Sequence, residues 1–481
     1  MNLRTRAPRA CLLALLAASL NLSPLARAQA QTTPATTPAP AAQAAKPQTV
    51  AFVGVNVVPM DRERVVADQT VVVRDGRIVE VGPASKTKVP DGALRVDGRG
   101  KYLMPGLAEM HGHLPHPSTP APVADSILLL FVANGVTTVR GMFGFPNHVH
   151  LRERAARNEL LSPTLYVAGP ALSGQSVQSA SAADALVREH KQAGYDLLKV
   201  HEGLSREAYD RIVATANELK IPFGGHVAEG VGLLHAIKSK QSSVEHMDGY
   251  LEALEADDSP IRDADPQTRA QKLLQHLDER KLPALAAATR DAGIWVTPTQ
   301  ALWQTFFSSE STESLKQRPE LKYVPPQMVA GWVKQRANMQ QQGGPPPADA
   351  ARIIQLRDRI LKALADANAP LLLGSDAPQL FSVPGFSLHR EMQAMAKAGL
   401  TPYQILASGT LNPARYWNAE NEFGTVQAGR RADLILLDAD PLKDISNVAR
   451  RSGVMLRGRW LPEAELRRML DALAAQYAPP K

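Results

Sequence analysis

The stretch Tyr102-Leu103-Met104-Pro105-Gly106-Leu107-Ala108-Glu109-Met110-His111-Gly112-His113 decides the reading of this chain. An apolar run ends on two histidines separated by one residue. Alternate side chains on a β-strand share a face. His111 and His113 therefore leave one strand end in the same direction and can close on one divalent cation, since imidazole is the commonest ligand of zinc-like ions. With 12 histidines in 481 residues such a pair also arises by chance, so its weight depends on what recurs downstream.

The same texture does recur. Tyr195-Asp196-Leu197-Leu198-Lys199-Val200 is strand-like and carries a lysine near its end. Pro222-Phe223-Gly224-Gly225-His226 and Ser242-Ser243-Val244-Glu245-His246 each finish on a histidine, and Leu371-Leu372-Leu373-Gly374-Ser375-Asp376 finishes on an aspartate. Buried parallel strands read as continuous apolar runs, and a (β/α)8 barrel carries its catalytic residues at their C-terminal ends. Strands are expected near 104–113, 135–140, 163–169, 195–200, 222–227, 242–247, 293–299 and 371–376, with helical stretches between them such as Ala182 to Gln192 and Arg206 to Leu219.

His111-x-His113, the strand-end Lys199, the strand-end His226 and His246, and Asp376 in Gly374-Ser375-Asp376-Ala377-Pro378 together resemble the amidohydrolase superfamily. A later signature, Asn412-Pro413-Ala414 with Gly424-Thr425-Val426 and Gly429-Arg430-Arg431-Ala432-Asp433-Leu434, extends the resemblance over about residues 48 to 461. Within the superfamily the chain is most similar to the imidazolonepropionase-related and Xaa-Pro dipeptidase-like branch. The expected architecture is α/β: a TIM-like (β/α)8 barrel over 104–419 and a small β-sandwich built from 48–103 and 420–461. Turn signals at Arg74-Asp75-Gly76-Arg77 and Val96-Asp97-Gly98-Arg99 punctuate the first of these two flanking segments. A helical tail is expected over 462–481. Residues 304–350, with Pro325-Pro326 and the Gln340 to Pro347 run, do not fit a simple crossover and read as a lid insert, the alternative being a solvated decoration.

Residues 1–28 read as a secretory signal peptide: Arg4, Arg6 and Arg9, an apolar run from Leu12 to Leu22 too short to span a bilayer, and a small-x-small site at Ala26-Arg27-Ala28. Residues 29–47, rich in Ala, Pro, Thr and Gln, read as a disordered tether. Cys11, the single cysteine, falls in the leader. The processed chain would thus form no disulfide and offer no thiolate to a metal, which suits an oxidising compartment such as a periplasm. The formal charge of +7 falls to about +3 once the four leader arginines are removed, and no dense basic stripe remains, so nucleic acid is not an expected partner. The expected partner is a small-molecule substrate, with no membrane anchor after processing and a homo-oligomer left open.

The resemblance implies two divalent metal ions, expected to be zinc. His111, His113 and Asp376 would hold the more buried ion and His226 and His246 the second, with Lys199 between them as a carbamate formed with carbon dioxide. A buried lysine loses its proton readily, and the alternative for Lys199 is a structural ammonium. A hydroxide bridging two cations has its pKa drawn to about 7, and Asp376 is placed to act as general base. Tyr250 would polarise the scissile carbonyl or merely pack. Arg140 would recognise a substrate carboxylate or form a structural ion pair. His148 and His150 are expected in an exposed loop, and Gly169 to Gln175 is expected to shape the pocket.

Two departures from the family pattern stand out. Glu109 occupies the place of an aspartate two residues before His111, and His226-Val227-Ala228-Glu229 has the spacing of the mononuclear deaminase branch. The leading expectation is an exported binuclear hydrolase of an amide bond in a dipeptide or N-acyl amino acid. The alternatives are a mononuclear deaminase or cyclic-amide hydrolase acting on a heterocycle, and a non-catalytic binding protein.

Overall fold

The computed structural model of the protein describes residues 49–478. The leader at 1–28 and the tether up to residue 47 lie outside the described residues. The fold is α/β. Seven short parallel strands fall where the apolar runs predict them: Leu107–Gly112, Val136–Gly141, Thr164–Val167, Leu198–Val200, Phe223–Gly225, Ser243–Glu245 and Trp295–Thr297. The first three form one parallel sheet and the last four another. Parallel bridges from Ala168 to Leu197 and from Leu172 to Val200 join the two sheets, and a bridge from Val296 to Leu371 leads on to the eighth segment.

That eighth segment differs from the expectation. Only Leu371 pairs as a bridge, yet the extended chain beyond it is tied on one side by Leu372 N to Val296 O, and on the other by Met110 N to Leu373 O and Asp376 N to His111 O. The hydrogen-bonded path therefore returns to the strand that carries His111. Gly374 makes the approach possible, because a Cβ there would stand 2.8 Å from His111 N and 2.5 Å from Thr297 Cγ2.

Helices run between the strands. Ala180–Gln192 and Arg206–Leu219 begin on Ser179 and Ser205, whose side chains accept from Ala182 N and Ala208 N; such caps satisfy amides that have no partner within the helix. These two helices bury Ala183, Val187, Tyr209 and Ile212 against Leu198, Val200 and Phe223, and a second core gathers Val139, Val244, Val296 and Leu373 with Ile360, Met392 and Leu406 of later helices.

The two chain ends build one connected eight-stranded sheet rather than two separately hydrogen-bonded sheets. Tyr102–Pro105 pairs parallel with Val50–Val57 and antiparallel with Leu434–Leu437. The stretch 102–113 is consequently two strands, not one. At Gly106, whose amide donates to Asp433 O, the chain leaves the terminal sheet and enters the parallel set.

The insert is helical and packed. Gln300–Phe306, Pro326–Gln342 and Pro347–Asp366 are helices, and Leu302, Leu315, Leu321, Val324 and Trp332 bury against Leu380, Phe381, Val383 and the C-terminal helix Glu463–Tyr477. Arg336 fastens the connection by donating to the carbonyls of Thr305, Phe306 and Ser308. No helix among the described residues is long and apolar enough to cross a membrane.

Candidate metal centre

His111, His113, Lys199, His226, His246 and Asp376 come together at the strand ends and line one pocket. Ligand atoms of His111, His113 and Asp376 all lie within 4.8 Å of one another. Asp376 Oδ1 is 2.9 Å from His113 Nε2 and 3.5 Å from His111 Nε2, and Oδ2 is 3.8 Å from His246 Nε2. The His246 ring stands 4.6 Å from that of His111 and 4.7 Å from that of His226. His246 (φ 61°) and Asp376 (φ 61°) both adopt the left-handed region. Non-glycine residues rarely sit there, at about 1–3 kcal/mol each, and such strain gathers at functional sites. Here it turns each side chain inward at the point where its strand ends.

The far nitrogens of the rings are held in place. His111 Nδ1 donates to Glu245 Oε2 at 2.7 Å and His226 Nδ1 to Asp248 Oδ2 at 2.7 Å, while His246 Nδ1 lies 2.8 Å from Thr299 Oγ1. A ligating histidine typically engages its other nitrogen in this way, which fixes the tautomer and leaves the Nε2 lone pair for a cation. Burial pushes His111 and His246 well below the ordinary imidazole range and His226 to about 3, so the rings are neutral and able to ligate at neutral pH. Burial likewise pushes the Lys199 ammonium below its ordinary range. Asp376 Oδ1 is buried without a hydrogen-bond partner, and an orphaned carboxylate oxygen facing imidazole Nε2 atoms is satisfied by a divalent cation. The donor set fits such an ion.

Glu109 takes no part in the ligand set but holds its scaffold. It is fully buried; Oε1 accepts from His111 N and Ser375 N, and Oε2 from Ser375 Oγ. It thereby staples the two strand ends that carry His111 and Asp376. Burial raises its carboxyl to about 8.

Arg140 and Tyr250 are placed elsewhere than the substrate roles expected of them. Arg140 is 0% exposed and donates to Met110 O, Ser243 Oγ, Glu245 Oε1 and Thr297 Oγ1. Of the two expectations for it, the geometry matches the structural ion pair, and it does not line the pocket. Tyr250 is 1% exposed, packs in the core, and shares a 2.8 Å hydrogen bond with Thr289. Its hydroxyl has no access to a substrate carbonyl.

Other expectations need correction too. His148 is buried at the start of the helix His148–Ala156, with Nε2 3.0 Å from Pro115 O, whereas His150 is exposed. The segment 169–175 contributes no side chain to the pocket lining. Glu229 is exposed, away from the centre. Sequence reasoning missed Glu245, Asp248 and Thr299 as ring partners. It also missed Phe143, His201, Glu202 and Gln379, which line the pocket together with Trp303 and Phe306. The strand Ser243–Glu245 held a signal: a buried acid directly before a candidate ligand calls for a compensating cation, and Arg140 provides it. A larger cavity of about 710 Å³, between the terminal sheet and the C-terminal helix, shares no lining residue with this site. Two ion pairs lie in its lining, Lys101 with Asp438 and Arg467 with Glu463.

An α/β fold with a His-His-Asp centre at its strand ends defines a class of metal-dependent hydrolase, and the family model agrees. The chain belongs to the amidohydrolase family, whose model matches residues 102–461. It is 39% identical over 62 residues to imidazolonepropionase of Stenotrophomonas maltophilia (strain R551-3), which covers 12% of this chain and 15% of that protein. It is 35% identical over 106 residues to dihydroorotase of Anaeromyxobacter sp. (strain K), covering 21% of this chain and 22% of that one. The matched part is thus less than a quarter of each relative's length. Among solved structures the fold is similar to a bottromycin amidohydrolase, with a TM-score of 0.69, 22% identity, and coverage of 90% of this chain and 91% of that one. It is also similar to a putative prolidase from Bifidobacterium longum, with a TM-score of 0.63, 21% identity, and coverage of 89% and 99%.

Proposed function

We propose that the protein is an exported, binuclear metal-dependent amidohydrolase built on a (β/α)8 barrel, cleaving the amide bond of a small molecule. Support comes first from one observation: the neutral imidazoles of His111, His226 and His246, each held at Nδ1, converge with His113 on a carboxylate whose Oδ1 has no hydrogen-bond partner. His111, His113 and Asp376 would hold one ion and His226 and His246 the other, with Lys199, as a carbamate, between them. When bound, divalent cations such as zinc supply Lewis acidity toward a carbonyl and activation of water. With Oδ1 of Asp376 given to an ion, Oδ2 is left to take a proton and return it to the departing nitrogen. Phe143, Trp303 and Phe306 wall the pocket and exclude bulk water.

The terminal sheet and the Lys199 burial are consistent with this reading, and export rests on the leader composition alone. The family's deaminases provide the second reading. The exposed position of Glu229 weighs against it, since a proton-shuttling carboxylate must face the substrate. The test is a turnover screen of the metal-loaded protein with dipeptides, N-acyl amino acids, amino acid amides and heterocyclic amines. Release of an amine from an open-chain amide supports the proposal, and ammonia released only from heterocycles overturns it.

A further inference from the structure

The pocket's charges define a substrate class, on the premise that the site hydrolyses amides. Lys199 and Asp376 belong to the ligating set, and Asp248 is engaged by His226 Nδ1. That leaves Glu202. It is partly buried, lines the pocket, and its carboxylate has neither a hydrogen bond nor an ion pair among the described residues. Its backbone is fixed from both sides: Glu202 N donates to His201 Nδ1 at 2.9 Å, and Gly174 N donates to Glu202 O at 3.0 Å. The contact beyond it is tight, since a Cβ on Gly174 would stand 2.1 Å from Gly203 O. The position is therefore pre-organised rather than a loose surface acid.

Among the described residues no arginine lines the pocket to meet a carboxylate. Arg140 is spent on Glu245 and its neighbours, and Arg357 on Gln300 Oε1, His246 O and Pro298 O while it stacks 4.4 Å from the Trp303 ring centroid. A desolvated acid without a partner is costly, and a ligand cation removes the cost. The aromatic faces of Phe143, Trp303 and Phe306 suit the apolar part of such a ligand and attract a cation beside it.

We propose that Glu202 is a specificity residue that binds the ammonium group of the substrate. The pocket then takes amides carrying a free amine next to an apolar or aromatic side chain, and disfavours N-acyl amino acids with a free carboxylate. Three matched substrates test this with the metal-loaded enzyme: an aromatic dipeptide amide with a free amino group, its N-acetyl form, and the N-acetyl dipeptide acid. The free amine should exceed the N-acetyl amide in kcat/KM by about 10-fold or more, as expected for a partly desolvated charge pair. Glu202→Gln should bring the ratio of the two kcat/KM values to about 1, chiefly through KM for the free amine, and Glu202→Lys should shift preference to the acid.

A binding measurement independent of turnover accompanies it: calorimetry with 2-phenylethylammonium and 2-phenylethanol. The wild type should bind the ammonium more tightly and Glu202→Gln should bind both equally. Equal binding of the two by the wild type, or a preference for the acid in turnover, overturns the proposal. If the ammonium preference holds and no amide is cleaved, the amidohydrolase reading fails and the Glu202 assignment stands. If amides are cleaved with no preference, the reverse applies.

Discussion

Replacing Arg140 with methionine separates a structural role from a substrate-binding one. Arg140 and Glu245 are each 0% exposed and meet at 2.8 Å. Burial works to raise the Glu245 carboxyl, but the charges of Arg140 and Lys199 outweigh it and hold it below the ordinary carboxylate range. Removing one member of a buried pair strands the other, at a cost of about 3–5 kcal/mol. Methionine fills much of the volume, so most of that cost is electrostatic. The second consequence concerns the centre. Glu245 Oε2 accepts from His111 Nδ1 at 2.7 Å, and loss of such a partner's charge or orientation lowers metal affinity by about 10–100-fold. Chelator competition and thermal melting read the two effects separately. The double variant Arg140→Met with Glu245→Gln should recover part of the stability but not the metal affinity, because an amide no longer supplies a carboxylate to His111. An unchanged melting temperature together with a rise in KM confined to carboxylate-bearing substrates would refute this reasoning and return Arg140 to substrate recognition.

Lys199→Ala should lose most activity and at least one metal, with acetate or propionate restoring part of both; metal analysis with and without the added carboxylate checks this, and an unaffected variant removes the carbamate. Asp376→Asn should lower kcat by about 10²-fold or more while the fold persists, as read by steady-state kinetics alongside circular dichroism. Tyr250→Phe should leave kcat within about twofold and cost about 1 kcal/mol of stability through the lost Thr289 hydrogen bond, so a large kcat loss would contradict its buried placement. Limited proteolysis should spare Pro326–Gln342 until global unfolding, since that helix packs under the pocket wall; early cleavage there would favour the mobile lid.

The cluster at the strand ends was legible because few side chains bind cations and the apolar runs end on them, so His111, His113, His226, His246 and Asp376, which line one pocket, could be read one by one. What surrounds them was not. Arg140 and its counter-charge Glu245 lie on different strands, and nothing local shows that an arginine at a strand end faces inward to a buried acid. Tyr250 follows His246 closely, but the left-handed turn at His246 and Met247 and the αL start at Gly249 redirect the chain into the core. The helices of the insert were hidden by its prolines. Pro326 and Pro347 are the first residues of two helices, a position that tolerates the missing N–H, and composition alone does not tell such a helix start from a loop. His148 follows the second strand where a loop is expected, yet the helix start turns it inward to Pro115 O.

The central claim is a two-metal centre, and metal content per chain tests it most directly. Purified protein loaded with zinc and freed of excess metal should retain about two equivalents, as a binuclear site requires, and His226→Ala should fall to about one with His111, His113 and Asp376 still occupied. Retention of about one equivalent by the wild type, unchanged in His226→Ala, would contradict the account.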